Sequence, residues 1–159
     1  MLTTSDIEML SAGTATSSDA AFRAVHQVAQ RRLDAGLVTA MRHDAALATV
    51  ERLYSSNEEA YPVGGRKLKR ESDWSQHVLV EQRVLVSAGD DAIRKHYVDH
   101  PTIFGLGLHS CVNVPLVSAG QCVGTLNLLR ARPDWSDDEV AAARVLGLAA
   151  LAAVLMMTR

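Results

Sequence analysis

A chain of 159 residues is the size of one domain. With 48% apolar and 21% charged residues it has the balance of an ordinary globular protein, and its net charge of −2 argues against a nucleic-acid partner. Two cysteines are too few for a disulfide framework, so a reducing, cytoplasmic setting is expected.

Met1 to Ser11 carries Asp6 and Glu8 and lacks the basic start and apolar run of a secretory leader. A short helix is predicted from Thr4 to Leu10. A stronger one follows from Ser18 to Asp34, where Phe22, Val25, Ala29 and Leu33 recur on one face and Gly36 supplies the stop. Strands are predicted over Leu37–His43 and Leu47–Ser55, joined by Asp44-Ala45-Ala46. Asn57 to Glu71, with Pro62, Gly64 and Gly65, reads as a loop. Asp73 with Gln76 suits the cap of a helix running through Gln82. Val84–Ser87 reads as a strand, and Asp90–Tyr97 as a helix closed before Pro101.

Ser110–Val117 and Cys122–Arg130 form the clearest hairpin. Ser136 and Glu139 make a capping box for a last helix reaching Met156. Within that helix Val145–Met157 is apolar throughout, bracketed by Arg144 and Arg159. Its 13 residues fall short of a membrane span, which needs about 20, so a core or dimer-interface helix is expected and no membrane contact. Together the elements predict an α+β fold: an antiparallel sheet of five to six strands with helices on its faces.

Period-two alternation assigns the hairpin's faces. Val112, Val114 and Leu116 match Leu128, Leu126 and Gly124 on one face, leaving Ala119-Gly120-Gln121 as a three-residue loop with Gly120 left-handed. The other face carries Cys111, Asn113, Pro115, Val123, Thr125, Asn127 and Leu129, with Asn113 directly opposite Asn127. Two amides side by side are costly if buried without partners. Either they satisfy each other, or the face is wet, or it lines a pocket. The same register pairs Cys111 with Leu129 and Cys122 with Ser118, on opposite faces, which argues against a disulfide.

At this hairpin the chain resembles a GAF domain. The resemblance rests on Ser110-Cys111-Val112-Asn113-Val114-Pro115-Leu116, on Val123-Gly124-Thr125-Leu126-Asn127-Leu128, on Trp135 with Asp137 and Asp138, and on Gly105-Leu106-Gly107-Leu108 before them. It implies a single GAF-like domain over 1–159, with an N-terminal helix and linker over 1–17 and the core from 18. Terminal helices would cover one sheet face. Short helices and loops would cover a small-molecule pocket on the other, the face of Asn113, Thr125 and Asn127. The Asn-Lys-Phe-Asp-Glu set of cyclic-nucleotide-binding members is not found. Cys111 does not sit in the context of a bilin-attaching cysteine. The middle loops lack the cysteines of members that reduce free methionine sulfoxide, so that activity is not expected. No kinase or DNA-binding output module is expected within these 159 residues.

Trp74, His77, Val78 and Glu81 share one face of the middle helix at helical spacing. They either pack it on the sheet or present Trp74 and His77 to a ligand. Phe104 and Tyr54 are further ligand candidates, and Tyr61 to Gly65 a candidate flap. Arg66, Lys67, Lys69 and Arg70 would favour anionic ligands if they rimmed the pocket. His96 and His100 have metal-ligand spacing but no third ligand in register.

The reading is a sensory or regulatory small-molecule-binding domain whose ligand, and any cofactor, the sequence leaves open. The alternative is a small cysteine-dependent enzyme using Cys111 with His109 or His77. The last helix carries Val145, Leu148, Ala149, Ala152 and Leu155 on one stripe and Leu146, Leu151, Val154 and Met157 beyond it. Gly147, Ala150 and Ala153 would allow close approach. A homodimer through the terminal helices, or a first helix folded back over them, would bury that surface.

Overall fold

The computed structural model describes residues 1–157. Six strands pair: β1 (Leu37–Asp44), β2 (Thr49–Ser55), β3 (Gly64–Leu68), β4 (Leu85–Ala88), β5 (Ser110–Ser118) and β6 (Gln121–Arg130). They form one antiparallel sheet in the order β3-β2-β1-β6-β5-β4. Helices α1 (Thr4–Thr16), α2 (Ser18–Leu33) and α6 (Asp137–Met157) cover one face. The other face carries α3 (Asp73–Ser75), the π-helical turn Gln76–Val80, α4 (Asp90–His96) and α5 (His100–Gly105). The main core lies on the first face, where Val112, Val114, Leu126 and Leu128 of the sheet meet Phe22, Val25 and Val28 of α2 and Leu146, Ala150 and Val154 of α6.

The hairpin adopts the expected register from Val112↔Leu128 through Asn113↔Asn127 to Leu116↔Gly124. Beyond that point it differs. Val117 pairs with Cys122 and Ser118 with Gln121, leaving a two-residue turn, Ala119-Gly120. Both turn residues have positive φ, 51° and 78°, the geometry that matches the strands' right-handed twist. Val123 becomes the extra residue of a β-bulge. The bulge turns Val123 toward the helix-side core and Cys122 toward Val78, Leu79 and Leu85 on the opposite side. Cys111 and Cys122 therefore lie on the same side of the sheet, not on opposite sides. Both remain free, because six strand residues separate their positions by about 20 Å. Next to the bulge, a Cβ on Gly124 would sit 2.2 Å from the carbonyl oxygen of Met41, so only glycine lets β1 and β6 pair there.

Other boundaries moved for local reasons. α1 continues to Thr16 rather than ending at Leu10, along a stretch without apolar periodicity. Its start is held by Thr3 and Asp6 in a capping box, and by Arg31 and Arg32 of α2 at 2.6 and 2.7 Å from the fully buried Asp6 carboxylate. α2 closes on Asp34 in the left-handed conformation, not at Gly36. The segment Gly64–Leu68 is an edge strand within the expected loop. Its side chains are all exposed, so no alternation marks it, and Arg66 and Lys67 blunt the edge. Ser72 and Ser75, not Asp73 and Gln76, form the cap of the middle helix. Pro101 opens α5 rather than only ending α4.

By length and composition alone α6, 21 residues with a mean hydropathy of 2.2 over its most apolar 18, would suit a membrane span. Here Leu146, Gly147, Ala150, Ala153 and Val154 face the sheet and α2, which corrects the placement of the small residues at a dimer seam. α1 does fold back, burying Leu10 in the same core. Val145 and Leu148 nonetheless stay exposed, Leu148 at 67%.

The start of α6 is locked to the sheet by Arg130, whose side chain is wholly buried. Its guanidinium donates to the carbonyl oxygens of Leu33 and Asp134 and to both carboxylate oxygens of Glu139, and stacks 3.7 Å from the ring of Trp135. Glu139 also completes the expected capping box with Ser136. The Arg130 guanidinium beside it lowers the Glu139 carboxyl from 4.5 to about 2. Glu139→Gln leaves a buried cation unpaired and should cost about 3–5 kcal/mol in urea unfolding. Because the folded-state pKa is depressed, this stability is present above pH 4.5 and is lost as pH falls toward about 2. The variant's stability should therefore vary less than wild type's across that window.

Candidate functional site

The face of the sheet away from the terminal helices bears a cavity of about 200 Å³. Strand alternation presents Leu37, Thr39 and Met41 from β1, Cys111 and Asn113 from β5, and Asn127 and Leu129 from β6 as its floor. Over them stand Trp74 of α3, Tyr97 at the end of α4, Ile103 of α5 and Tyr61 of the β2–β3 loop. Arg52 of β2 and Asp99, the residue before α5, complete the wall.

The two amides form one continuous hydrogen-bonded chain. Asn113 donates to Asn127 Oδ1 at 2.7 Å, and Asn127 donates to Thr39 Oγ1 at 3.1 Å. Asn113 Oδ1 in turn accepts from Trp74 Nε1 at 3.0 Å and from the Tyr97 hydroxyl. The pair thus satisfies itself and lines a pocket, uniting two alternatives that the pattern left open. The chain continues outward from Tyr97 to Ser87 Oγ, which lies 2.8 Å from His96 Nδ1. Burial pushes the Tyr97 phenol well above its usual pKa, so the hydroxyl stays a donor.

Charge enters at one side. The Arg52 guanidinium lies 5.1 Å from the centre of the Tyr61 ring and donates to the Pro62 carbonyl at 3.1 Å. Its Nε is buried without a hydrogen-bond partner among the described residues. The Tyr61 hydroxyl donates to Asp99 Oδ2 at 2.6 Å, tying the loop to the approach of α5. Desolvation, then the Asp99 bond, holds the Tyr61 phenol above its ordinary pKa.

Of the residues singled out by sequence, Asn113, Asn127, Cys111 and Trp74 meet at this cavity. The other four do not line it. Thr125, one pair beyond Asn127 on the same side, is fully buried and its Oγ1 has no partner among the described residues. His77 turns to the carbonyl oxygen of Val84 at 3.0 Å. The π-helical turn, with Glu81 N–H bonded to the Gln76 carbonyl, breaks the even spacing that put His77 beside Trp74. Phe104 packs outward between His109 and Arg94. Tyr54 lies on the helix side, stacked on Phe22 and 2.9 Å from His26 Nδ1.

A β-bulge explains the last exchange. Tyr54 pairs with Ala40 but Arg52 with Met41, so Leu53 is the extra residue. Strict alternation puts Arg52 and Tyr54 on one face; the bulge sends Tyr54 to the core and Arg52 to the cavity. Thr39 and Met41 could have been found by alternation on β1. Tyr97 and Asp99 had no pattern to betray them.

The basic cluster expected to favour anions lies on and after β3, outside the cavity wall, where Arg66 is 3.7 Å from Glu51 and Lys69 3.4 Å from Glu71. His96 and His100 belong to different helices, α4 and α5. The thiol of Cys111 is wholly buried, and desolvation pushes its pKa up to about 12, with the negative Asp99 adding to the rise. His109 is engaged by Asp90 at 2.6 Å and His77 by Val84, so neither imidazole is set as a base for it. A thiolate there is strongly disfavoured.

An α+β sheet with its terminal helices on one side and a roofed cavity on the other is the architecture of a GAF domain. The chain belongs to the GAF domain family, whose model matches residues 17–154. No curated protein matches it. Among solved structures it is similar to the GAF domain of a phosphoenolpyruvate-protein phosphotransferase from Coxiella burnetii, at 18% identity and a TM-score of 0.72, covering 97% of this chain and 94% of that one. A GAF domain/HD domain protein from Geobacter sulfurreducens matches at 18% identity and a TM-score of 0.71, over 91% and 96% of the two chains. A type II free methionine-R-sulfoxide reductase from Thermoplasma acidophilum matches at 11% identity and a TM-score of 0.67, over 88% and 93%. These likenesses are of fold.

Two outcomes test the site's geometry. Asn113→Ala strands the Trp74 and Tyr97 donors and should cost about 1–3 kcal/mol in denaturant unfolding. A thiol-specific disulfide reagent at pH 8 should leave both cysteines of the native protein unmodified and titrate both once urea unfolds the chain.

Proposed function

We propose that the chain is a cytoplasmic sensory or regulatory domain that binds a small molecule in the cavity over Asn113 and Asn127, without chemistry of its own. The observation that carries this reading is the preorganised floor: a hydrogen-bonded Trp74–Asn113–Asn127–Thr39 chain in which the protein's own groups hold the two amides in place. Such a site binds without reorganising its polar groups, which lowers the cost of association. Trp74 and Tyr97 roof the ligand, and Cys111 contributes bulk rather than a nucleophile. GAF domains generally serve small-molecule sensing or regulation, and the GAF domain of a two-component sensor histidine kinase from Bacillus halodurans shares this fold.

Native mass spectrometry of freshly purified protein should retain a small metabolite that denaturation releases, and Asn127→Leu, which fills the floor, should abolish retention. Binding should also change Trp74 fluorescence, with the change lost in Trp74→Phe. An empty protein silent across a broad metabolite library would instead support an interaction module with a filled pocket.

The second part of the proposal is a homodimer through α6. Ala141, Val145, Leu148 and Ala152 remain on its outer surface at alternating spacings of four and three, the pattern of a coiled-coil seam. Sedimentation equilibrium at tens of micromolar should give a dimer, and Leu148→Glu should give a folded monomer. A wild-type monomer at that concentration overturns this part.

A further inference from the structure

We infer that the cavity's ligand is a small zwitterion, an α-amino acid with an aliphatic side chain, held by its carboxylate at Arg52 and its ammonium at Asp99. The inference rests on the small-molecule reading above and names its ligand class. The cavity wall carries one cation and one anion, and the residue between them keeps both in place without neutralising either. Tyr61 lies under the Arg52 guanidinium at 5.1 Å and engages Oδ2 of Asp99 at 2.6 Å. Arg52 retains a buried Nε–H with no partner among the described residues. A guanidinium with an unused, buried N–H in the cavity wall is suited to a carboxylate, which can take two parallel bonds from the fork. A lone anion there would face Asp99 across the same opening and be repelled. A lone ammonium would face Arg52 and be repelled in turn. A molecule bearing both charges on one carbon meets both partners.

Size and lining set the rest. A volume of about 200 Å³ is below the ~300–1,000 Å³ of drug-sized clefts. It holds roughly seven waters, or a ligand of about ten non-hydrogen atoms. Away from the charges the wall is apolar, with Leu37, Ile103, Leu129 and the buried Cys111 thiol. The amide chain is saturated enough to offer little to a strongly polar side chain. An aliphatic group fits that end.

The test is a titration calorimetry and melting series on the full chain with L-leucine, 4-methylpentanoate, which lacks the ammonium, and 3-methylbutylamine, which lacks the carboxylate, followed by the other proteinogenic amino acids. At least one aliphatic amino acid should bind and raise the melting temperature. Each half-charged analogue should bind about tenfold or more weakly. Asp99→Asn keeps an acceptor for Tyr61, so the fold should survive, and it should weaken the amino acid about tenfold while sparing the carboxylate analogue. Arg52→Gln should do the reverse, sparing the amine. Equal binding of 4-methylpentanoate and leucine overturns the zwitterion and leaves the small-molecule reading intact. Silence across all the amino acids also overturns it; a metabolite retained in native mass spectrometry then still supports the cavity reading, whereas its absence brings down both.

Discussion

The register in which β5 meets β6 is the constraint on which the rest of the structure depends. Pairing Val112 with Leu128 and Val114 with Leu126 builds the surface on which α2 and α6 pack. The same pairing sets Asn113 against Asn127 on the reverse side. A slip of one residue would exchange the two sides, placing both amides in the helix-side core and the aliphatic side chains in the cavity. Two devices hold the register. The Ala119-Gly120 turn fixes it at one end, and Arg130 pins the other by joining β6 to the end of α2 and the start of α6.

The cost of placing amides in a sheet is met on the sheet itself. Each Asn satisfies its neighbour, and the ends of the chain are taken by Thr39, Trp74 and Tyr97. The result is a polar floor that needs no ligand to be stable, yet binds the roof elements α3 and α4 to the central strands. The charged groups sit elsewhere, at the side where Tyr61 couples Arg52 to Asp99. The cavity thus separates a rigid, neutral floor from a charged wall carried on a loop and on the short segment before α5. The same three side chains carry the wall's charge and tie the β2–β3 loop to the approach of α5.

Both β-bulges act on the site. At Leu53 the bulge moves Tyr54 into the core beside Phe22 and leaves Arg52 in the cavity. At Val123 it moves Cys122 to the cavity's side of the sheet, beneath Val78 and Leu79. Neither changes the topology, but each puts residues on faces that strict alternation would not give them. A chemically distinctive side chain, the guanidinium, reaches the cavity only because of one of them.

From the sequence alone, the hairpin's register as far as Leu116 and Gly124, the opposed amides, the sheet's two-sidedness and the capping box of α6 could be read, as could the resemblance to GAF domains. Those features depend on strict periodicity or on contacts three residues apart, which a linear pattern records. Four of the eight expected ligand residues, Asn113, Asn127, Cys111 and Trp74, line the cavity for the same reason: they sit where alternation or a regular helical start places them. Tyr54, His77, Thr125 and Phe104 fall outside it, and Arg52, Tyr61, Tyr97 and Asp99 belong to its wall. Only the tertiary structure decided these. A bulge adds one residue to a strand without changing its composition, a π-turn shifts a helix face without changing its polarity, and the ends of short helices are positioned by what they pack against. The same holds for β3, formed by backbone pairing along an edge where every side chain faces solvent. Side-chain patterns carry information about burial, and these choices were made by the backbone.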